Sequence, residues 1–155
     1  MVSPELLRRY PFFGVFAETP LKAIAMVADE VIYDAGESLY EIDLDADKLF
    51  LLIDGSVEHY FIVADSLNPA SRKEFYLSDI NPGDVFGLSS MIEPYRHTTS
   101  ARATGHSRVI RIETASLRTL GELDPKLGYV IMVQVAKAIS EKLESTRVQL
   151  AATRA

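Results

Sequence analysis

The sequence predicts a mainly β domain, a compact antiparallel sandwich or barrel, with helices at both ends. Between Val31 and Ile112, short apolar or alternating runs are punctuated by Gly36, Gly55, Gly83, Gly87 and Gly105, the pattern of short strands joined by tight turns. Before and after that region, apolar residues recur every three or four positions instead, which is the helical period. A chain of 155 residues that is 48% hydrophobic can bury one core and is too short for two ordinary domains. One domain over 1–155 is therefore expected, with N-terminal helices in 1–30, the β portion in 31–113 and C-terminal helices in 114–155.

Taken in order, Glu5 to Phe16 and Pro20 to Ala28 carry the helical spacing, with Thr19-Pro20 as N-cap and first-turn residue of the second helix. Strands are expected at Val31–Tyr33, Ser38–Tyr40, Leu49–Ile53, Val57–Val63, Glu74–Leu77, Thr98–Ala103 and Ser107–Ile112. Ala115 to Leu123 then reads as a short helix, and Asp124-Pro125 opens a long one running to about Thr153.

Composition removes several function classes. The net charge of −6 and the absence of a basic cluster argue against direct nucleic-acid binding, which needs a Lys/Arg surface to meet phosphates. Without cysteine there is no disulfide frame, thiolate nucleophile or zinc finger. No charged-then-apolar leader precedes Pro4, and apolar runs such as Leu49–Ile53 are far shorter than a membrane span, so a soluble cytoplasmic protein is expected.

The stretch Phe86 to Ala103 carries the most specific chemistry. Ser89 and Ser90 are good helix-starting residues, and a short helix begun there directs unpaired amides and a positive dipole end outward, where an anion is favoured. Gly87, lacking a Cβ, permits close approach to the backbone, and Pro94 ends the helical turn. The same segment also reads as a plain turn, helix and strand without a ligand.

This stretch resembles the phosphate-binding cassette of cyclic nucleotide-binding domains. There a Gly-Glu pair opens the short helix, the Glu holding the ribose, and an Arg ten residues after the Gly meets the phosphate; here Leu88 stands at the Glu position and His97 at the Arg position. The order of other segments is similar too: Leu7-Arg8-Arg9-Tyr10-Pro11-Phe12-Phe13 as helical entry, Gly36-Glu37-Ser38-Leu39-Tyr40, Leu49 to Val57 ending in the Gly55 turn, and Asn81-Pro82-Gly83-Asp84 leading into the cassette. Asp43 and Leu44 replace the family's Gly-Asp turn. The resemblance spans Leu7 to Leu150 and implies a β-roll, jelly-roll-like and described as a double-stranded β-helix, of the Crp/Fnr-like type. It implies a ligand site at Gly87, Leu88, Ser89, Ser90, Arg96, His97, Thr98 and Thr99, taking a cyclic nucleotide or another small anion. Because an unperturbed imidazole gains charge only below about pH 6.5, a His97 anchor should strengthen anion binding in acid, whereas an Arg96 anchor would not.

The terminal helix is the second informative feature. Tyr129, Met132, Ala136, Ile139, Leu143, Thr146 and Leu150 alternate at spacings of three and four, one stripe suited to a two-helix seam. The resemblance makes this a dimerisation helix that also touches the ligand's base, with Lys142 and Leu143 at positions where catabolite activators carry base-contacting hydroxyls. A helix folded back on its own domain is the alternative. In that group a helix-turn-helix follows the dimer helix, and none is present by Ala155, so output through the dimer or a protein partner is expected.

Other chemistries find no support in the residue pattern. Asp43, Asp45 and Asp47 alternate like a calcium loop, but Lys48 and Asp54 occupy the positions that need Gly and Glu. His59, His97 and His106 form no metal-ligand pair, and Ser89 and Ser90 lack a nucleophile elbow, so an enzyme is not expected. Two functions remain: a ligand-sensing regulatory domain, or a domain that has lost its nucleotide and serves dimerisation or protein interaction.

Overall fold

A computed structural model of the protein describes residues 1–65 and 67–155. Three short helices, α1 (Pro4–Arg8), α2 (Pro11–Gly14) and α3 (Glu18–Met26), precede eight strands: β1 (Ala28–Tyr33), β2 (Ser38–Tyr40), β3 (Lys48–Asp54), β4 (Val57–Asp65), β5 (Asn68–Ile80), β6 (Val85–Phe86), β7 (Ser100–Ala103) and β8 (Ser107–Glu113). Helices α4 (Thr114–Leu123) and α5 (Pro125–Arg154) follow. The strands form two antiparallel four-stranded sheets, ordered β1-β8-β3-β6 and β2-β7-β4-β5, which is the β-roll the sequence implied.

The two apolar clusters explain the roll's arrangement. Leu49, Leu51 and Ile53 of β3, with Ile110 and Ile112 of β8, pack outward against Leu7, Phe13, Leu21, Ile24, Leu117, Ile131 and Val135 of the helices. Phe50 and Leu52 of β3 and Val109 of β8 point inward to meet Tyr40, Val57, Phe86 and Ala101. Both faces of β3 are thus covered, so its sequence reads as one continuous apolar run rather than an alternation.

Several boundaries differ from expectation for identifiable reasons. The expected helix over Glu5–Phe16 is broken, because Tyr10 precedes Pro11 and is held extended (φ −106°, ψ 132°) by the steric demand of the proline ring. The next helix is capped by Ala17, not Thr19, and Pro20 sits in its first turn, where a missing N–H breaks no intrahelical bond. Strand β5 runs well beyond Glu74–Leu77, since as a sheet edge with mostly exposed residues it lacks a clean apolar alternation. The two-residue β6 carries too little pattern to be read from sequence. Asp124 caps α5 as expected, its side chain accepting from the amides of Lys126 and Leu127.

Gly55 is a position where backbone geometry leaves no choice. It has φ +108°, and a Cβ there would lie 2.5 Å from the His106 carbonyl oxygen and 2.6 Å from the Ser107 Cα. Gly55→Ala is expected to cost about 2 kcal/mol or more, from strained dihedrals and the displaced β8 backbone together. Urea unfolding of the two proteins checks this, and an unchanged midpoint would show that the turn relaxes freely.

Candidate functional site

A cavity of about 270 Å³ opens between the β-roll, the Gly87 turn and α5. That is just below the range of ordinary small-molecule sites, roughly 300–1,000 Å³. Tyr40 (β2), His59 (β4) and Phe86 (β6) line its roll side; Leu77 and Ser78 of β5 form its rim; Lys142, Thr146 and Gln149 of α5 close it. Gly87, Leu88, Ser89, His97, Thr98 and Thr99 complete the wall. The structure thus brings together six of the eight ligand residues expected from sequence and leaves Ser90 and Arg96 outside.

The reasons for those placements are local. Gly87 adopts φ +74° at the head of the short 3₁₀ turn Leu88–Met91, and a Cβ there would come within 2.8 Å of Phe50 and 3.0 Å of the Lys48 carbonyl. Its missing side chain therefore serves the packing of the turn onto β3, a demand that sequence spacing did not reveal. Ser90 is fully buried and its hydroxyl donates to the Gly87 carbonyl at 2.7 Å, closing the turn from within. Arg96 extends in the opposite direction, donating to the carbonyl of Asp43 in the exposed turn where Asp43 holds φ 70°.

His97 is pinned rather than free. Its amide donates to the Leu44 carbonyl, its own carbonyl accepts from Asp43, and its ring lies parallel to Tyr40 with centroids 3.9 Å apart. Burial lowers its basicity, an effect partly opposed by the charge of Asp47. The acid window in which His97 could meet an anion consequently shifts below the ordinary imidazole range.

Behind that stack runs a polar chain that sequence reasoning did not find. Tyr40 Oη lies 2.7 Å from His59 Nε2, and Lys142 Nζ lies 3.2 Å from His59 Nδ1. A neutral imidazole has one N–H and one lone pair, so the two contacts cannot both donate to it. With Lys142 as an ammonium donating to Nδ1, Nε2–H donates to Tyr40 Oη. Burial, reinforced by the charge of Lys142 and by that of His97 once acid protonates it, pushes His59 down to about 3, which keeps it neutral near neutral pH. Burial likewise raises the Tyr40 phenol and lowers the Lys142 ammonium, the latter opposed by Asp84. The signals in the sequence were the inward-facing position His59 shares with Val57 on β4 and the resemblance that set Lys142 at a base-contacting position; the partners of His59 lie 19 and 83 residues away.

The electrostatic character of the cavity follows from these facts. Its wall contains hydroxyls, an amide, two imidazoles held neutral by burial and several apolar groups, but no carboxylate, and Lys142 is the sole lysine or arginine lining it among the described residues.

The other face of α5 is different. Leu127, Ile131 and Val135 pack on the helical side of the core. Of the expected seam, Met132, Ala136, Ile139, Leu143 and Leu150 are exposed in the single chain, Leu143 by 48% and Leu150 by 52%, whereas Thr146, also exposed, stands on the cavity wall. Near the start of α5 the helix meets α4 closely, at Gly121 and Gly128, where a Cβ on Gly128 would stand 2.9 Å from the Gly121 carbonyl oxygen. Among the described residues no helix is long and apolar enough to cross a membrane.

Fold and site together define a β-roll domain with a cavity closed by a long C-terminal helix. The profile of the cyclic nucleotide-binding domain matches residues 30–124, and the chain belongs to that family. A proposed cyclic nucleotide-binding protein from Geobacter metallireducens is 38% identical, with 92% of this chain and 99% of that one covered at a TM-score of 0.80. A cyclic nucleotide-binding domain from Methylobacillus flagellatus (15% identity, 96% and 80% covered, TM-score 0.78) shares the fold. So does the catabolite activator protein of Thermus thermophilus (17%, 93% and 63% covered, TM-score 0.69). No curated protein matches the sequence. The family and fold are those of regulatory domains.

Proposed function

We propose that this chain is a cytoplasmic ligand-sensing module in which a small anionic molecule, a cyclic nucleotide among the candidates, occupies the cavity beside the Gly87 turn and alters a homodimer seam on α5. One observation carries the reading. Lys142, Thr146 and Gln149 face the cavity from the same helical turns whose exposed residues Ile139, Leu143 and Leu150 form the apolar stripe. At about 100° per residue, any ligand that shifts or rotates α5 must also move that stripe. Output then passes through the dimer or to a protein partner.

The dimer is directly testable. Replacing Ile139 and Leu143 together with Glu places two charges in the seam and is expected to yield folded monomers in sedimentation velocity. A wild-type protein that is monomeric at micromolar concentration would end the dimer reading. Native mass spectrometry of the freshly purified protein, followed by titration with cAMP, cGMP and cyclic dinucleotides, tests for the ligand.

A second reading is an interaction module that has kept fold and dimer but lost the nucleotide. Leu88 and the buried, stacked His97, in place of the family's Glu and Arg, favour it. Absence of any ligand in those titrations, with the dimer intact, would select this reading over the first.

A further inference from the structure

We propose that the cavity takes a small amphipathic carboxylate whose charge is met by Lys142 on α5 and whose apolar body lies against Leu77, Phe86 and Leu88. The inference rests on the ligand-sensing reading above and specifies the class and orientation of the ligand.

Charge placement in the cavity selects this class of ligand. Lys142 is half-buried on the cavity wall, and the hydrogen bond that holds it goes to a neutral imidazole nitrogen rather than to a carboxylate. Asp84 favours its charged form from a distance, yet none of the ion pairs among the described residues involves Lys142. A desolvated ammonium without a paired anion is costly, and a ligand carboxylate beside it would relieve that cost. The turn side of the cavity offers the reverse. Leu88 removes the acceptor that would hold sugar hydroxyls, and His97 is engaged in its stack with Tyr40 and uncharged near neutrality. A polyhydroxylated group placed there would lose hydrogen bonds to water that Leu88 and Phe86 cannot replace. One charge at the helix end and, at the turn end, the apolar side chains of Phe86 and Leu88 beside the hydroxyls of Ser89, Thr98 and Thr99 fit an amphipathic monoanion.

Benzoate and hexanoate serve as probes, with benzamide and hexanamide as uncharged counterparts of nearly the same shape, and cAMP for comparison. Calorimetry and amide NMR shifts are read on the wild type, Lys142→Met and Lys142→Gln. The carboxylates should bind the wild type and bind both variants roughly ten- to a hundredfold more weakly, the range expected for one charge-assisted contact. The amides should bind equally weakly to all three proteins. Two variants of different polarity guard against misfolding of either, and thermal melts verify the fold.

Carboxylates that bind no better than the amides, or that bind undiminished to folded Lys142 variants, would overturn the proposal. Binding of cAMP without binding of carboxylates would also overturn it, while leaving the ligand-sensing reading in place. If no probe, cAMP included, shifts the resonances of cavity residues, the proposal falls, and the ligand-sensing reading is decided by the native mass spectrometry and cyclic nucleotide titrations above.

Discussion

Leu88→Glu combined with His97→Arg is expected to raise affinity for cAMP by at least about a hundredfold over the unmodified protein, which should bind it weakly or not at all. Both side chains line the cavity, and the backbone of the Gly87 turn that presents them is already shaped by its contacts with Phe50 and Lys48. A charge-assisted hydrogen bond is worth roughly 1.5–3 kcal/mol, so restoring a ribose acceptor and a phosphate donor together adds about 3–6 kcal/mol. At about 1.4 kcal/mol per decade, that corresponds to roughly a hundred- to ten-thousandfold. Leu88 also packs on the helical core, so part of the gain is offset by lost burial. An arginine at position 97 can keep the Tyr40 face covered, because a guanidinium stacks on aromatic rings as an imidazole does. Calorimetry with cAMP on the folded double variant is the measurement. No gain would mean that the cavity's shape, and not its two exchanged side chains, excludes the nucleotide.

The second large effect is acid destabilisation through His59. Its ordinary value of 6.5 falls to about 3 in the folded protein because the ring is buried and faces Lys142 and His97. Between those two values the unfolded chain binds a proton that the native state refuses. Stability therefore falls as pH drops through 6.5, with a slope approaching about 1.4 kcal/mol per pH unit. From pH 7 to 5 the His59 contribution to this loss is about 2 kcal/mol. His59→Gln, which retains a donor and an acceptor but does not titrate, should lose about 2 kcal/mol less over that interval than the wild type. Urea unfolding at the two pH values measures it. Parallel losses in the two proteins would show that His59 takes up its proton in the folded protein at its ordinary value.

The protonation of His59 also bears on α5. An imidazolium has no lone pair to accept from Lys142, so the contact that joins helix to roll would become a repulsion between two cations. The same residue thus couples acid sensitivity of stability to the helix that carries the exposed stripe.

What could be read from the chain alone was whatever depends on nearest neighbours and on period. Glycine-punctuated short strands, the helical spacing of 115–153 and the Asp124-Pro125 start are local statements, and each corresponds to an observed element. The ordered segments from Leu7 to Leu150 carried the fold, because a β-roll needs turns at particular intervals whatever fills its pocket. The apolar stripe on α5 was likewise visible, and the structure leaves it exposed in the single chain.

Tertiary structure decided where side chains of similar sequence promise actually point. Arg96 and His97 are adjacent and both polar, yet one is drawn outward to the Asp43 carbonyl and the other inward to Tyr40, since consecutive residues of an extended segment face opposite ways. Ser89 and Ser90 part as well, because successive residues of a 3₁₀ turn point about 120° apart, one lining the cavity and the other closing its turn. The Tyr40–His59–Lys142 chain joins β2, β4 and α5 across separations that no local window spans, and burial then sets the charges of its members. Backbone pattern is encoded by neighbours a few positions apart; the electrostatics of a pocket belong to residues that only the closed fold brings within 3 Å or so of each other.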